Sequence, residues 1–246
     1  MRHYVPDSLL TVDTNAKTVK GQKYGFLTGI LYMSPSDISG QQLCPMAKMA
    51  GCEAACLNTA GRGAMSSVQR ARLNKAHYFI DDREGFMQQL ARDIERLVKR
   101  ANRLGMTPLV RLNGTTDIRW ETIRAADGST IFDRFPGVQF YDYTKIANRR
   151  EIPANYDLTF SWSGVGAFPQ YAQRAISQGM RVAVVFRDRG MIPADFMGMR
   201  TVDGDDSDIR HLDPQGVVVA LYAKGQAKRD TSGFVVQRVI PIKLAA

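Results

Sequence analysis

The sequence predicts an α/β protein, built either as a partial (β/α) barrel or as an open, mainly parallel sheet with covering helices. Six short runs rich in aromatic and aliphatic residues predict strands, and the connections between them are long enough for parallel crossovers. Two of these runs, VAVVF and VVVAL, are continuously apolar, which is typical of strands covered on both faces.

The strands are placed by apolar runs that end at turn-forming residues. The first is predicted over 24–33, and Ser34 and Pro35 end it. The segment 232–242 is expected to add an edge strand. The remaining strands are predicted over 107–113, 138–144, 156–162, 181–187 and 216–223.

Helical periodicity fills several of the connections between these strands. A helix over 66–80 is expected to begin with Ser66 or Ser67 as its cap. In the next helix, over 81–105, Asp81 and Glu84 have the spacing of a capping box, and Gly105 supplies a stop. Crossover helices are predicted over 117–126 and 167–179. The apolar stripe of the 81–105 helix comprises Phe86, Leu90, Ile94, Leu97, Val98 and Ala101.

Composition indicates a globular chain. Its 246 residues, 44% of them hydrophobic and 23% charged, suffice for a substantial core and argue against disorder. We expect one α/β domain over 1–246, with a cysteine-bearing loop at 40–63. No apolar stretch approaches the length that spans a bilayer, and no targeting segment opens the chain, so we expect a cytoplasmic protein without a membrane partner.

All three cysteines lie within thirteen residues: Cys44, Cys52 and Cys56, spaced C-x7-C-x3-C. An odd, clustered number in a reducing compartment favours a metal site over disulfides. Zinc requires four ligands, and only Cys52 and Cys56 have a usual zinc spacing; His77 is the nearest histidine, while His3 and His211 are remote in sequence. A [4Fe-4S] cluster held by three thiolates would leave one iron open. Both metals remain candidates.

Polar residues follow the predicted strands, where the ligand sites of parallel sheets usually form. We predict that they line a pocket for a cofactor and for a small-molecule or nucleotide substrate. Trp120 and Trp162 are candidates to stack on a base. The predicted pocket residues are Asn113, Asp117, Asp142, Lys145, Ser161, Ser163 and Arg187.

The charge balance allows an anionic partner. With a net charge of +9, the chain is compatible with nucleic-acid binding, because lysine and arginine attract phosphates. The densest basic segment, RDIERLVKRANRLG, lies on the predicted 81–105 helix.

Two resemblances add to this interpretation. A strand followed directly by a loop with three cysteines, ahead of further β/α units, resembles the layout of the radical S-adenosylmethionine superfamily, although the usual superfamily spacing is C-x3-C-x2-C. This resemblance implies a cluster that binds and reductively cleaves S-adenosylmethionine. The segments CPMAKMAGCEAACLNTAGRG, VRLNGTTDIRWE, FYDYTK, LTFSWSG and AVVFR are similar to the gene product 88 family of bacteriophage proteins, which implies a phage protein acting in the host cytoplasm.

The sequence therefore leads to two hypotheses. The first is a phage iron–sulfur protein with radical S-adenosylmethionine-like activity on an unidentified substrate. The alternative is a zinc-stabilised, basic nucleic-acid-binding protein that serves phage replication or host takeover.

Overall fold

The computed structural model describes residues 5–13, 19 and 21–237. Their nine strands form an open sheet in the order β1-β2-β3-β4-β5-β6-β9-β8-β7. Adjacent strands from β2 to β8 in this order are parallel, whereas β1 and β7 add antiparallel edges. The predicted fold class is confirmed. The strands are β1 Leu10–Thr11, β2 Phe26–Leu31, β3 Thr107–Arg111, β4 Gln139–Thr144, β5 Tyr156–Ser161, β6 Val182–Phe186, β7 Asp195–Phe196, β8 Met199–Asp203 and β9 Val218–Tyr222.

The six predicted strands coincide with β2, β3, β4, β5, β6 and β9, while the two-residue edge strands β1 and β7 and the largely unburied strand β8 were not predicted. The predicted edge strand over 232–242 forms one parallel bridge in its described part, between Val236 and Phe186; residues 238–242 lie outside the described residues. Short edge strands escape sequence patterns because few of their residues are buried.

Four α-helices lie wholly within the described residues: α1 Ser66–Asp81, α2 Arg83–Arg103, α3 Ile131–Arg134 and α4 Pro169–Ser177. Within the described residues, none of the helices is both long and apolar enough to cross a membrane. The buried stripe of α2 packs with the alternate residues Leu27 and Leu31 of β2 and Val110 of β3. Phe168, Ala172 and Ala175, at the start of α4 and within it, pack in the same way against Val182 and Val184 of β6.

Three predictions about helices need correction. The first cap of α1 is Met65, whose side chain caps nothing, so Ser66 and Ser67 lie inside the helix. The cap of α2 is Asp82 and not Asp81, because the Asp82 carboxylate accepts a hydrogen bond from the Gly85 N–H at 2.9 Å.

The third correction concerns the helix predicted over 117–126, which is reduced to a single 3-10 turn, Trp120–Thr122. The Asn113 side chain accepts hydrogen bonds from the N–H groups of Ile118 (2.9 Å) and the Trp120 indole (3.1 Å). These bonds hold the chain in a compact turn that is incompatible with a continuous helix.

The opposite face of the sheet is covered by the protein's own segment 203–215. Ile209 packs against Leu109 and Tyr141, and Arg111 reaches Asp208 at 3.4 Å. Arg181, which is fully buried on this face, binds the carboxylate of Asp157. Both faces of the central strands are therefore covered, as their continuous apolar runs predict.

Candidate functional site

The three cysteines lie on the long loop that leaves the carboxyl end of β2, and this loop packs across the carboxyl ends of the neighbouring strands. The Asp117 N–H, after β3, donates to the Leu43 carbonyl at 2.9 Å. The Ser163 hydroxyl, after β5, donates to the Ala50 carbonyl at 2.6 Å. The structure thus brings the thiol loop and the predicted strand-end residues to one edge of the sheet.

Each of the three thiols is half-buried, and none forms a disulfide. The pKa of Cys44 is raised to about 12, mainly by burial and to a smaller extent by the nearby charges of Asp117, Cys56 and Cys52, against an opposing backbone hydrogen bond. Burial also raises the pKa of Cys52 and of Cys56. All three thiols are therefore more readily held as neutral thiols than as thiolates, because burial disfavours the charged form.

The thiols do not form a ready-made ligand cage. Within the described part of the chain, no group of three or more His, Cys, Asp or Glu side chains is arranged to hold a metal ion. The Cys44 Sγ instead lies 3.6 Å from the Thr115 carbonyl oxygen, and the Cys52 Sγ lies 3.7 Å from that of Ala47. A metal centre would require these side chains to turn from backbone carbonyls toward one another.

A buried lysine lies near Cys52. Lys145, at the end of β4, donates from Nζ to the carbonyl and hydroxyl oxygens of Ser161, both at 3.1 Å. Its ammonium also lies over the rings of Phe168 and Phe234. Burial lowers the pKa of Lys145, whereas the charges of Cys52 and Asp117 raise it. Among the described residues, no carboxylate lies within ion-pair distance of this ammonium.

An arginine lies near Cys56. Arg72 of α1 donates from Nη1 to the Asn58 carbonyl (2.9 Å) and side-chain oxygen (2.6 Å), and it stacks over the Tyr32 ring. Its Nε is buried and lacks a hydrogen-bond partner in the described structure. The Arg72 charge lowers the pKa of Cys56, although burial keeps that pKa raised. Sequence reasoning missed Arg72, because a basic residue on an amphipathic helix normally indicates only a solvated face.

Two predicted pocket residues have side chains that already form hydrogen bonds inside the protein. The Asp142 carboxylate, fully buried, accepts from the N–H groups of Leu112 (3.1 Å) and Asn113 (3.0 Å) and from the Tyr156 hydroxyl (3.1 Å). The Asn113 side-chain oxygen accepts from Thr116 and from the turn that follows it. These two side chains clamp the β3 end to β4, and a ligand role for them stays a prediction.

Three further predicted residues join elements around the thiol loop. Asp117 accepts hydrogen bonds from the Thr144 hydroxyl at 2.8 Å and the Lys145 N–H at 2.7 Å. Ser161 accepts from Lys145, and Ser163 holds the loop through Ala50. They lie at the predicted edge, and each has a structural partner there.

Arg187, the last predicted pocket residue, is directed at the C-terminal segment. Its guanidinium donates to the carbonyl oxygens of Ala227, Lys228 and Asp230 and to the Gln237 side chain. Because its donors face this segment, Arg187 fixes the chain that closes over the thiol loop.

The tryptophans proposed to stack on a base and His211, a candidate zinc ligand, do not lie in positions that suit these roles. Trp120 is fully buried in the core and has no face for a base, while half-buried Trp162 contacts Phe196. His211 packs edge-on to Phe26, the first residue of β2, at the opposite edge of the sheet from the thiol loop. His3 lies outside the described residues. His211 is therefore not positioned as a fourth zinc ligand.

A groove of about 360 Å³ lies beside the β4–β5 connection. This connection contains no α-helix, so the layer over β4 and β5 has a gap. Arg149, Tyr156, Gln178 and Gln215 supply polar groups to the groove. The predicted pocket residues do not line it, so it is separate from the thiol site.

Comparison with known proteins gives a family match. The model of a family described as Gene product 88 matches residues 8–238, nearly the whole chain. No curated protein and no solved structure matches.

Proposed function

We propose that this chain, which belongs to the Gene product 88 family because that family's model matches nearly all of it, is a phage iron–sulfur protein. Cys44, Cys52 and Cys56 would hold a [4Fe-4S] cluster at the carboxyl edge of the sheet. The protein would use it in radical S-adenosylmethionine-like chemistry on a small molecule or nucleotide in the host cytoplasm.

The observation that carries this proposal is the charge arrangement around the thiols. Lys145 and Arg72 lie near the loop, and neither has a carboxylate within ion-pair distance among the described residues. Lys145 is buried, and leaving a buried cation without an anion costs on the order of several kcal/mol. Arg72 is half-buried, so its cost is smaller. Three thiolates bound to a cluster would supply negative charge near Lys145 at Cys52 and near Arg72 at Cys56.

The choice of an iron–sulfur cluster over a single zinc ion follows from ligand number. Structural zinc closes with four protein ligands, whereas the loop supplies three thiols. A [4Fe-4S] cluster accommodates three thiolates and keeps one iron free for an exogenous ligand. S-adenosylmethionine is the ligand implied by the layout of a cysteine loop over sequentially ordered parallel strands.

The chain's own residues would act around such a centre in defined ways. The Lys145 ammonium would balance charge beside Cys52, and Arg72 would hold the loop segment at Cys56 through Asn58. The Phe168 and Phe234 rings over Lys145 would limit water access to the cation. Each role follows from a contact already present in the protein.

The test is purification without oxygen, followed by iron, sulfide and zinc analysis. We expect a brown protein with about four irons and four sulfides per chain, the composition of the proposed cluster. Separate Cys44→Ser, Cys52→Ser and Cys56→Ser variants should each lose iron, while Met49→Ser, an exposed change on the same loop, should retain it. Colourless protein with one zinc per chain would replace this proposal with the zinc-stabilised alternative.

The enzymatic part of the proposal has its own assay. The loaded protein is incubated with S-adenosylmethionine and dithionite, and release of methionine is measured against a Cys52→Ser control. Methionine release that depends on both the cluster and dithionite supports the activity. A stable cluster with no binding of S-adenosylmethionine by calorimetry would reduce the function to an iron–sulfur protein of another type.

A further inference from the structure

The exposed face of α2 carries a row of basic side chains. Arg92, Arg96, Lys99 and Arg103, here called the basic ridge, are all exposed. At 3.6 residues per turn, these positions fall within about 60° of the helix circumference and extend over about 16 Å. They lie opposite the buried stripe that packs on the sheet.

Most of this charge is not neutralised inside the protein. Arg96 pairs with Asp93, whose carboxylate also accepts the N–H groups of Leu9 and Leu10. In the part of the chain that the structure describes, Arg92, Lys99 and Arg103 have no carboxylate within ion-pair distance. The ridge is therefore a concentrated part of the chain's net charge of +9.

Helix stability alone does not require this row. Basic side chains favour the last turn of a helix because they interact with its dipole, and this effect fades beyond one turn. Arg103 fits that description, but Arg92 and Arg96 lie about two to three turns before the helix end. The charge thus extends past the region where it would stabilise the helix.

We propose that the basic ridge binds the phosphate backbone of double-stranded nucleic acid, independently of the thiol site. A duplex presents about one phosphate charge per 1.7 Å of its axis, so a 16 Å ridge faces several phosphates at once. An anionic membrane fits less well, because surface-binding helices insert an apolar face into lipid. The apolar stripe of α2 is buried in the core.

The inference is tested with a fluorescein-labelled 20-base-pair duplex of mixed sequence, by anisotropy over a range of salt concentrations. The ridge variant combines Arg92→Gln, Lys99→Gln and Arg103→Gln, which preserve helix propensity. The control variant combines Arg134→Gln, Arg150→Gln and Arg174→Gln, which remove the same charge from exposed sites outside α2.

We expect the ridge variant to bind the duplex at least about 100-fold more weakly at about 0.1 M salt. The slope of the logarithm of the binding constant against the logarithm of the salt concentration should become less negative by about three. The control should weaken binding by less than about tenfold. Equal weakening by both variants would overturn the ridge as the binding surface. Absence of duplex binding by the wild-type protein, or ridge-dependent binding only to phosphatidylserine vesicles, would overturn the proposal. The Cys52→Ser variant should bind the duplex like wild type, so this result stands apart from the metal analysis.

Discussion

Asp142→Asn is expected to change how the stability of the protein depends on pH. Asp142 is fully buried, and burial raises its pKa to about 6 from the ordinary 3.8, against the opposing charge of Arg111 and three hydrogen bonds. Because the pKa is higher in the folded state than in the unfolded chain, the folded state binds more protons between these values. Folding stability from this group is therefore greatest at low pH and falls as pH rises toward 6.

The rise in the pKa of Asp142 from 3.8 to about 6 corresponds to a total change of about 3 kcal/mol in the free energy of unfolding. About 2 kcal/mol of this should be lost by the wild type between about pH 4.5 and about pH 7.5. The amide that replaces the carboxyl group in the variant does not titrate, so the stability difference between wild type and variant should shift by about 2 kcal/mol in favour of the variant over that range.

The assay is urea unfolding followed by circular dichroism at several pH values. Asp188→Asn, which removes an exposed carboxylate, is the matched control and should leave the pH dependence of the wild type in place. A stability difference between wild type and Asp142→Asn that is constant across this pH range would refute the reasoning. It would mean that burial does not raise the pKa of Asp142.

Three further predictions concern the thiol loop, the Glu121–Arg149 ion pair and the C-terminal segment. Gly51→Ala should destabilise the protein by about 1–3 kcal/mol in urea unfolding, because its φ is +64° and an added Cβ would lie 2.8 Å from the Val165 side chain. Gly40→Ala is the control: its φ is +83° but nothing lies near the added Cβ, so it measures the cost of the backbone strain alone. Glu121→Gln should cost about 1–3 kcal/mol in the same assay, because it leaves buried Arg149 with only the more distant carboxylate of Asp117 at 3.8 Å; unchanged stability would contradict the importance of the buried pair. Arg187→Ala should make the 225–237 segment sensitive to limited proteolysis, with unchanged cleavage as the contrary result.

The sequence was most informative where one physical pattern dominated. Continuous apolar runs identified β6 and β9, and the 3.6-residue stripe identified α2. The direction of parallel strands also predicted that the residues after β3, β4 and β5 lie at one edge with the cysteine loop. Each of these predictions depends on local periodicity or on strand direction, which a single sequence carries.

The sequence was least informative where long-range hydrogen bonds decide the outcome. The turn after Asn113 replaces a predicted helix because the Asn113 side-chain oxygen accepts several hydrogen bonds from that turn. No local sequence pattern indicates these hydrogen bonds. Asp142 has the sequence context of a pocket residue, yet its partners are backbone groups of the neighbouring strand end. Arg72 reaches the thiol loop through Asn58, fourteen positions earlier, a contact that helical periodicity does not indicate.

The closure of the thiol loop by the C-terminal segment affects how the protein is made. Ser232 lies against Gly51, Phe234 covers Lys145, and Gly233 accepts a hydrogen bond from Gly164 at 3.0 Å. Residues near the start and end of the chain must therefore meet before the site is complete. During synthesis, the cysteines emerge from the ribosome well before residues 225–237, so the thiol loop stays open to solvent, and its thiols to oxidation, until that segment has followed.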